Sequence, residues 1–162
     1  MPAKYSDSEI AQMIEERKPL PDNYRSRVQL RNKRGHKERE LDLAGENGTQ
    51  YRLILRQNGF NTLDFSIILT ANPPDSSQLF RLRRYNGKSH EHTNQIERDT
   101  FYGFHIHQAT ERYQESGMRE DAFAETTDRY ADFHAALRCM LEDCGFETPQ
   151  DAQPSLFSEF DV

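Results

Sequence analysis

The chain has no tryptophan, four methionines and two cysteines in 162 residues, and only 35% of it is hydrophobic. Each shortage removes a class of explanation. No apolar run approaches the roughly 20 residues that a bilayer-spanning helix needs. No hydrophobic stretch near Met1 reads as a secretory leader, so a cytoplasmic protein is expected. Cys139 and Cys144 stand five apart in a helical pattern, which points them roughly 140° apart around the axis. That spacing suits neither a disulfide nor a metal-binding cysteine motif. No Gly-rich phosphate loop, serine triad or cysteine–histidine nucleophile is present.

What the chain does have is charge. Mean hydropathy is −0.96, which predicts a lean core under a charged surface in one domain. The net charge of −6 conceals an asymmetry: residues 18–109 hold 15 Lys/Arg against 10 Asp/Glu, and residues 110–162 hold 4 against 13. A basic middle and an acidic C-terminal third are expected to meet different partners.

Ser6-Asp7-Ser8-Glu9 reads as a capping box opening a helix to about Arg17. Strands are predicted over 27–31, 37–43, 50–57, 62–70, 78–85 and 100–108, divided by Arg34-Gly35, Asn47-Gly48, Asn58-Gly59, the Asn72–Asp75 turn and Asn86-Gly87. Residues 110–130 read as a polar connector. A second helix is predicted over 127–144, where Tyr130, Phe133, Leu137, Met140, Leu141 and Cys144 recur at threes and fours until Gly145. The expected fold is α+β: about six strands in a mostly antiparallel meander, with an N-terminal and a C-terminal helix on one face. Residues 1–146 form this domain in that reading, and 147–162 a flexible acidic tail.

Alternation along the strands turns Val28, Leu30, Leu41, Leu43, Tyr51, Leu53, Leu55, Phe65, Ile67, Leu69, Phe80, Leu82, Tyr102, Phe104 and Ile106 inward. The opposite parity collects Arg27, Arg31, Arg52, Arg56, Arg81, Arg83, His105 and His107, with Tyr85 beside Arg83. Such a face is either an ordinary solvated surface or a platform on which Arg27, Arg31, Arg52, Arg56 and Arg81 bind the phosphates of RNA or DNA.

Four of the six histidines form the pairs His90-Glu91-His92 and His105-Ile106-His107. Residues two apart on a strand share a face, so each pair presents two imidazoles together. Three chemistries are compatible. Metal-free phosphodiester cleavage of the ribonuclease type uses His105 and His107 as acid and base, Arg83 and Lys88 for the phosphorane charge, and Tyr85 in support. No cofactor is required in that case. A metal site uses His90 and His92, joined by His105 and His107, around zinc or another transition ion. The third chemistry is structural hydrogen bonding, to which His36 and His134 are also assigned.

Leu82-Arg83-Arg84-Tyr85 and Phe104-His105-Ile106-His107, followed by a closing helix, resemble in style small uncharacterised prokaryotic proteins of toxin–antitoxin and phage-defence neighbourhoods. The resemblance implies nucleic-acid chemistry and carries no catalytic residue across. Gln153-Pro154-Ser155-Leu156-Phe157 resembles the sliding-clamp-binding peptide of bacterial replication and repair proteins, with Pro154 in place of the usual Leu. It implies a protein partner met by Gln153, Leu156 and Phe157, and it supports a rival function: a non-catalytic antitoxin or adaptor module using its acidic helix and tail.

Overall fold

The capping box forms as expected. The Ser6 hydroxyl accepts from Glu9 N, and the Glu9 carboxylate accepts from Ser6 N, so two donors at the start of α1 (Asp7–Glu15) are satisfied. There follow β1 (Lys18–Pro19), α2 (Tyr24–Arg27), β2 (Arg31–Lys33), β3 (His36–Ala44), β4 (Gln50–Asn58), β5 (Phe65–Asn72) and β6 (Phe80–Asn86). The chain continues through β7 (Glu91–Asn94), β8 (Asp99–Tyr102), β9 (His105–Gln108), α3 (Glu111–Glu115), β10 (Phe123–Thr126), α4 (Phe133–Asp143) and β11 (Phe146–Glu147). This computed structural model describes residues 4–74 and 76–149. Gln153, Leu156 and Phe157 of the clamp-like peptide lie outside the described residues, as does Asp75. No helix among the described residues is long and apolar enough to cross a membrane.

The fold is α+β. Seven strands form one antiparallel sheet in the order β10-β9-β6-β5-β4-β3-β2. The meander from β2 to β6 follows the predicted order, and both predicted helices pack on one face. Ile10 and Ile14 of α1 and Phe133, Leu137 and Met140 of α4 close over Leu41, Leu53, Leu55, Ile67, Leu69 and Tyr85.

Several expectations need correction. Residues 27–31 are not a strand; Arg27 ends α2 and Arg31 starts the edge strand β2. The strand predicted over 100–108 is two, broken at Gly103 with φ 131°, a conformation that a side chain resists. The segment read as connector contains α3 and β10, and α4 begins at Phe133, where the Asp132 carboxylate accepts from Ala135 N. The stretch around His92, outside the predicted strands, is β7, paired with β8 in a hairpin. Glu147 belongs to the body of the fold. It pairs with Pro19 in the parallel β1–β11 ladder and accepts from Arg17.

One irregularity decides the geometry of the site. Between β5 and β6 the register steps from Leu69↔Arg83 to Thr70↔Arg81, so Leu82 has no partner. An extra residue in one strand reverses the alternation beyond it. Arg83 and Tyr85 therefore lie on the helix-covered side, where Arg83 Nη1 donates to Tyr85 Oη at 3.3 Å and Tyr85 Oη donates to the Asp143 carboxylate of α4. Arg84 takes the outer side in their stead.

Candidate metal centre

Cross-strand register arranges the outer face in rows. Ile68 faces Arg84, which faces His107, which faces Ala124; Ser66 faces Asn86, which faces His105, which faces Thr126. Strand alternation thus delivers two imidazoles, a guanidinium and an amide to one side of β6 and β9.

The β7–β8 hairpin covers them. Its fastening is the side chain of Asn94, whose Nδ2 donates to Ala124 O at 2.8 Å while its Oδ1 accepts from Ala124 N at 2.9 Å. The amide thereby pairs with the free edge of β10 as a strand would. Further ties join the hairpin tip to α3: Ile96 N donates to Tyr113 Oη at 3.2 Å, and Glu97 accepts from Tyr113 and Arg112. The hairpin brings His92 over the sheet, with ring centroids 5.6 Å from His105 and 4.8 Å from His107. His105 and His107 are left 1% and 3% exposed.

Hydrogen bonds assign the tautomers. Asn94 Oδ1 is fixed as an acceptor by Ala124, so His92 Nε2, 2.8 Å away, carries its ring proton. His105 Nδ1 donates to Gly103 O at 2.8 Å, and His107 Nδ1 donates to Asp121 O at 2.8 Å. One nitrogen of each ring is thus tied to an oxygen, leaving lone pairs on His92 Nδ1, His105 Nε2 and His107 Nε2. Ligating nitrogens of the three rings lie within 4.8 Å of one another. A tetrahedral ion with bonds of about 2.0–2.1 Å sets its ligands roughly 3.4 Å apart, so the three rings would have to draw inward to hold one. The anchoring of each donor nitrogen by an oxygen is the outer support that ligating histidines require.

Burial sets the charge state of the pair on β9. It pulls His105 down to about 4, with the Gly103 carbonyl opposing and His92 adding to the fall. Burial, reinforced by the Arg84 guanidinium, takes His107 to about 2. Both are neutral at physiological pH, as metal ligation demands.

Arg84 sits at the rim, its Nη2 donating to His107 Nε2 at 3.2 Å. Its Nε makes no hydrogen bond and lies 3.9 Å from Asp121 Oδ2. Asp121 is 1% exposed and neither of its carboxylate oxygens accepts a hydrogen bond. Burial raises its carboxyl above the ordinary range, against the pull of Arg84 and Arg119. Along the same face, Arg52, Arg56 and Arg81 line a groove of about 540 Å³ together with Ile54, Thr70, Glu40 and Glu120. Arg52 is engaged by Asp42 at 2.7 Å and Glu40 at 3.7 Å.

The residues singled out from sequence are thus divided. His92, His105 and His107 converge. His90 is exposed beside them, its Nδ1 3.0 Å from Ser89 Oγ, and lies outside the trio. Arg83 and Tyr85 are on the far side of the sheet, and Lys88 is exposed with its ammonium 5.9 Å over the Phe104 ring. Arg52, Arg56 and Arg81 share the groove, which Arg27 and Arg31 do not line. His36 bonds Glu38 at 2.8 Å. Sequence reasoning missed Arg84, Asn86, Asn94 and Asp121. For Asn94 a signal existed: it stands two residues after His92, hence on the same face of any strand.

Comparison with known proteins finds no family model, no curated protein and no solved structure that matches this chain.

Proposed function

We propose that this chain is a metalloprotein that binds one transition ion of the zinc class through His92 Nδ1, His105 Nε2 and His107 Nε2. The observation that carries this reading is the convergence of three imidazoles, each with one ring nitrogen held by an oxygen. With three protein ligands, an ion held by His92, His105 and His107 would keep a position open and would supply Lewis-acid activation of water there. The reaction class that fits is metal-assisted hydrolysis. Metal-free ribonuclease chemistry has less support. Arg83 and Tyr85 are separated from the histidines by the sheet, and imidazoles that lose their protons at about 4 and 2 are poor partners for acid–base work near neutrality.

The test is metal stoichiometry and affinity of the stripped protein, by elemental analysis and competition against a chelating dye. The expected result is one zinc or cobalt ion per chain, with His107→Ala weakening affinity at least about a hundredfold. A wild type that binds no more tightly than a His92/His105/His107 triple alanine variant overturns the reading.

A second reading concerns the substrate. The arginines lining a groove on the same face support a nucleic-acid phosphodiester. Chelator-sensitive cleavage of single-stranded RNA or DNA, with binding that weakens steeply in salt, is the expected behaviour. Binding confined to a protein partner would instead favour the adaptor reading.

A further inference from the structure

We infer that Arg84 is a metal-displaced gate: it caps His107 Nε2 while the centre is empty, moves onto Asp121 when an ion binds, and there holds a substrate oxyanion beside the metal. The inference rests on the metal reading above. Its starting point is a conflict. The lone pair that His107 would give a metal is the one that Arg84 Nη2 occupies at 3.2 Å. A divalent ion and a guanidinium cannot both sit on one nitrogen, and their like charges repel at this range.

The fold holds a place for the displaced group. Arg84 Nε has no hydrogen-bond acceptor, and neither carboxylate oxygen of Asp121 accepts a hydrogen bond: Arg119 Nε stands 3.7 Å from Oδ1, and Arg84 Nε 3.9 Å from Oδ2. Two buried, mutually unsatisfied partners one small movement apart are costly unless they meet in another state of the protein. Asp121 cannot instead be counted as a fourth ligand, because its carboxylate is outside the group that converges with the histidines. Asp121 also holds His107 Nδ1 through its backbone oxygen, so one residue supports both the ligand and the gate.

The charge around the displaced Arg84 indicates what it would bind. Arg56, Arg81 and Arg119 are all close enough to act on it electrostatically, against Asp121; Glu120 is the other acidic neighbour of Asp121. Adding a divalent ion leaves this end of the face strongly positive. A guanidinium anchored through Nε on Asp121 presents its remaining N–H groups as a fork for an oxyanion of the phosphate class. Metal must therefore bind first and phosphate second.

The experiment measures zinc affinity by dye competition for the wild type, Arg84→Gln, Asp121→Asn and the double variant, after thermal melts establish that each is folded. Arg84→Gln is expected to tighten zinc about tenfold by removing the competing cation. Asp121→Asn is expected to weaken zinc about tenfold by leaving the gate no place to go, and the double variant is expected to match Arg84→Gln, the non-additivity that coupled residues display. Calorimetry with inorganic phosphate is expected to give binding to zinc-loaded wild type, none to the stripped protein, and at least about tenfold weaker binding to zinc-loaded Arg84→Gln. An oligonucleotide arm separates a polymer from the free ion: much tighter oligonucleotide binding assigns the phosphate to a nucleic acid. Arg84→Lys keeps the cation without the fork, so it is expected to leave zinc affinity near wild type and weaken phosphate, which covers the case of Arg84→Gln failing to fold.

Zinc binding that Arg84→Gln weakens or leaves unchanged overturns the gate while leaving the metal centre standing. A double variant as weak as Asp121→Asn also overturns it, by making Asp121 a ligand. Wild type that binds no zinc overturns both.

Discussion

Arg83 and Arg84 are neighbours in the chain and face opposite sides of the sheet, and the two polar clusters they join differ in one respect. On the helix side, the cluster of Lys18, Tyr85, Arg129 and Asp143 is partnered. The buried Lys18 ammonium donates to the carbonyl oxygens of Met13, Ile14, Glu16 and Cys144 at 2.6–3.1 Å, and burial lowers it only to about 8, so it remains charged at neutral pH. Arg129 grips Asp143 at 2.7 and 2.8 Å, and Tyr85 donates to the same carboxylate. On the outer side, Arg84 Nε, Asn86 Oδ1 and both oxygens of Asp121 are buried without a hydrogen bond. A buried polar group that is fully partnered holds a fold together. A set that is close together and only partly partnered is better understood as one state of a working site.

The sharpest way to break the comparison is at Lys18. Replacement by Met removes the donor from four buried carbonyls at the ends of α1 and α4, and about 3 kcal/mol of stability is expected to go with it. Urea denaturation measures the loss, and zinc affinity of the folded protein is expected to stay at the wild-type value. Equal loss of zinc affinity would mean that the two clusters are not independent.

Asp143 gives a smaller effect with a pH signature. Burial works to raise its carboxyl, and the Arg129 fork with the Tyr85 hydroxyl outweighs it, so the group is held below the ordinary range. A depressed carboxyl contributes stability in full above its unfolded value of about 3.9. That contribution disappears as pH falls through the lower folded value. Asp143→Asn is therefore expected to cost about 1 kcal/mol at pH 7, with the gap from wild type closing as pH falls through the folded value. A gap constant with pH would assign the loss to packing rather than charge.

The smallest expected effect tests the hairpin. Arg98 adopts φ 63° at its turn, a conformation that non-glycine residues resist. Arg98→Gly is expected to gain about 0.5 kcal/mol, read as a slight rise in thermal midpoint. A fall would show that the Arg98 side chain, and not its backbone, holds the turn.

Much of this architecture is legible in the chain because its strands obey alternation and its helices carry caps. Leu41, Leu53, Ile67 and Leu82 are buried as parity requires. Legibility fails where a local event resets the count. The unpaired Leu82 exchanges Arg83 for Arg84 at the site, and no residue type near it announces a bulge. It fails again where burial is polar. The strand β7 has no apolar alternation because its inward residues are His92 and Asn94, and its covering role comes from contacts with Ala124 and Tyr113 far along the chain. The two-residue spacing in His105-Ile106-His107 announced a paired site. That His92 rather than His90 completes it follows from hairpin register, which the sequence does not print.

The amide of Asn94 has a consequence beyond the histidine it orients. By spending both of its groups on Ala124 it gives the large sheet an end. A strand from a second molecule approaching β10 would find the middle of that four-residue edge already engaged. A bare edge is a template for further strands, and here a single side chain closes it.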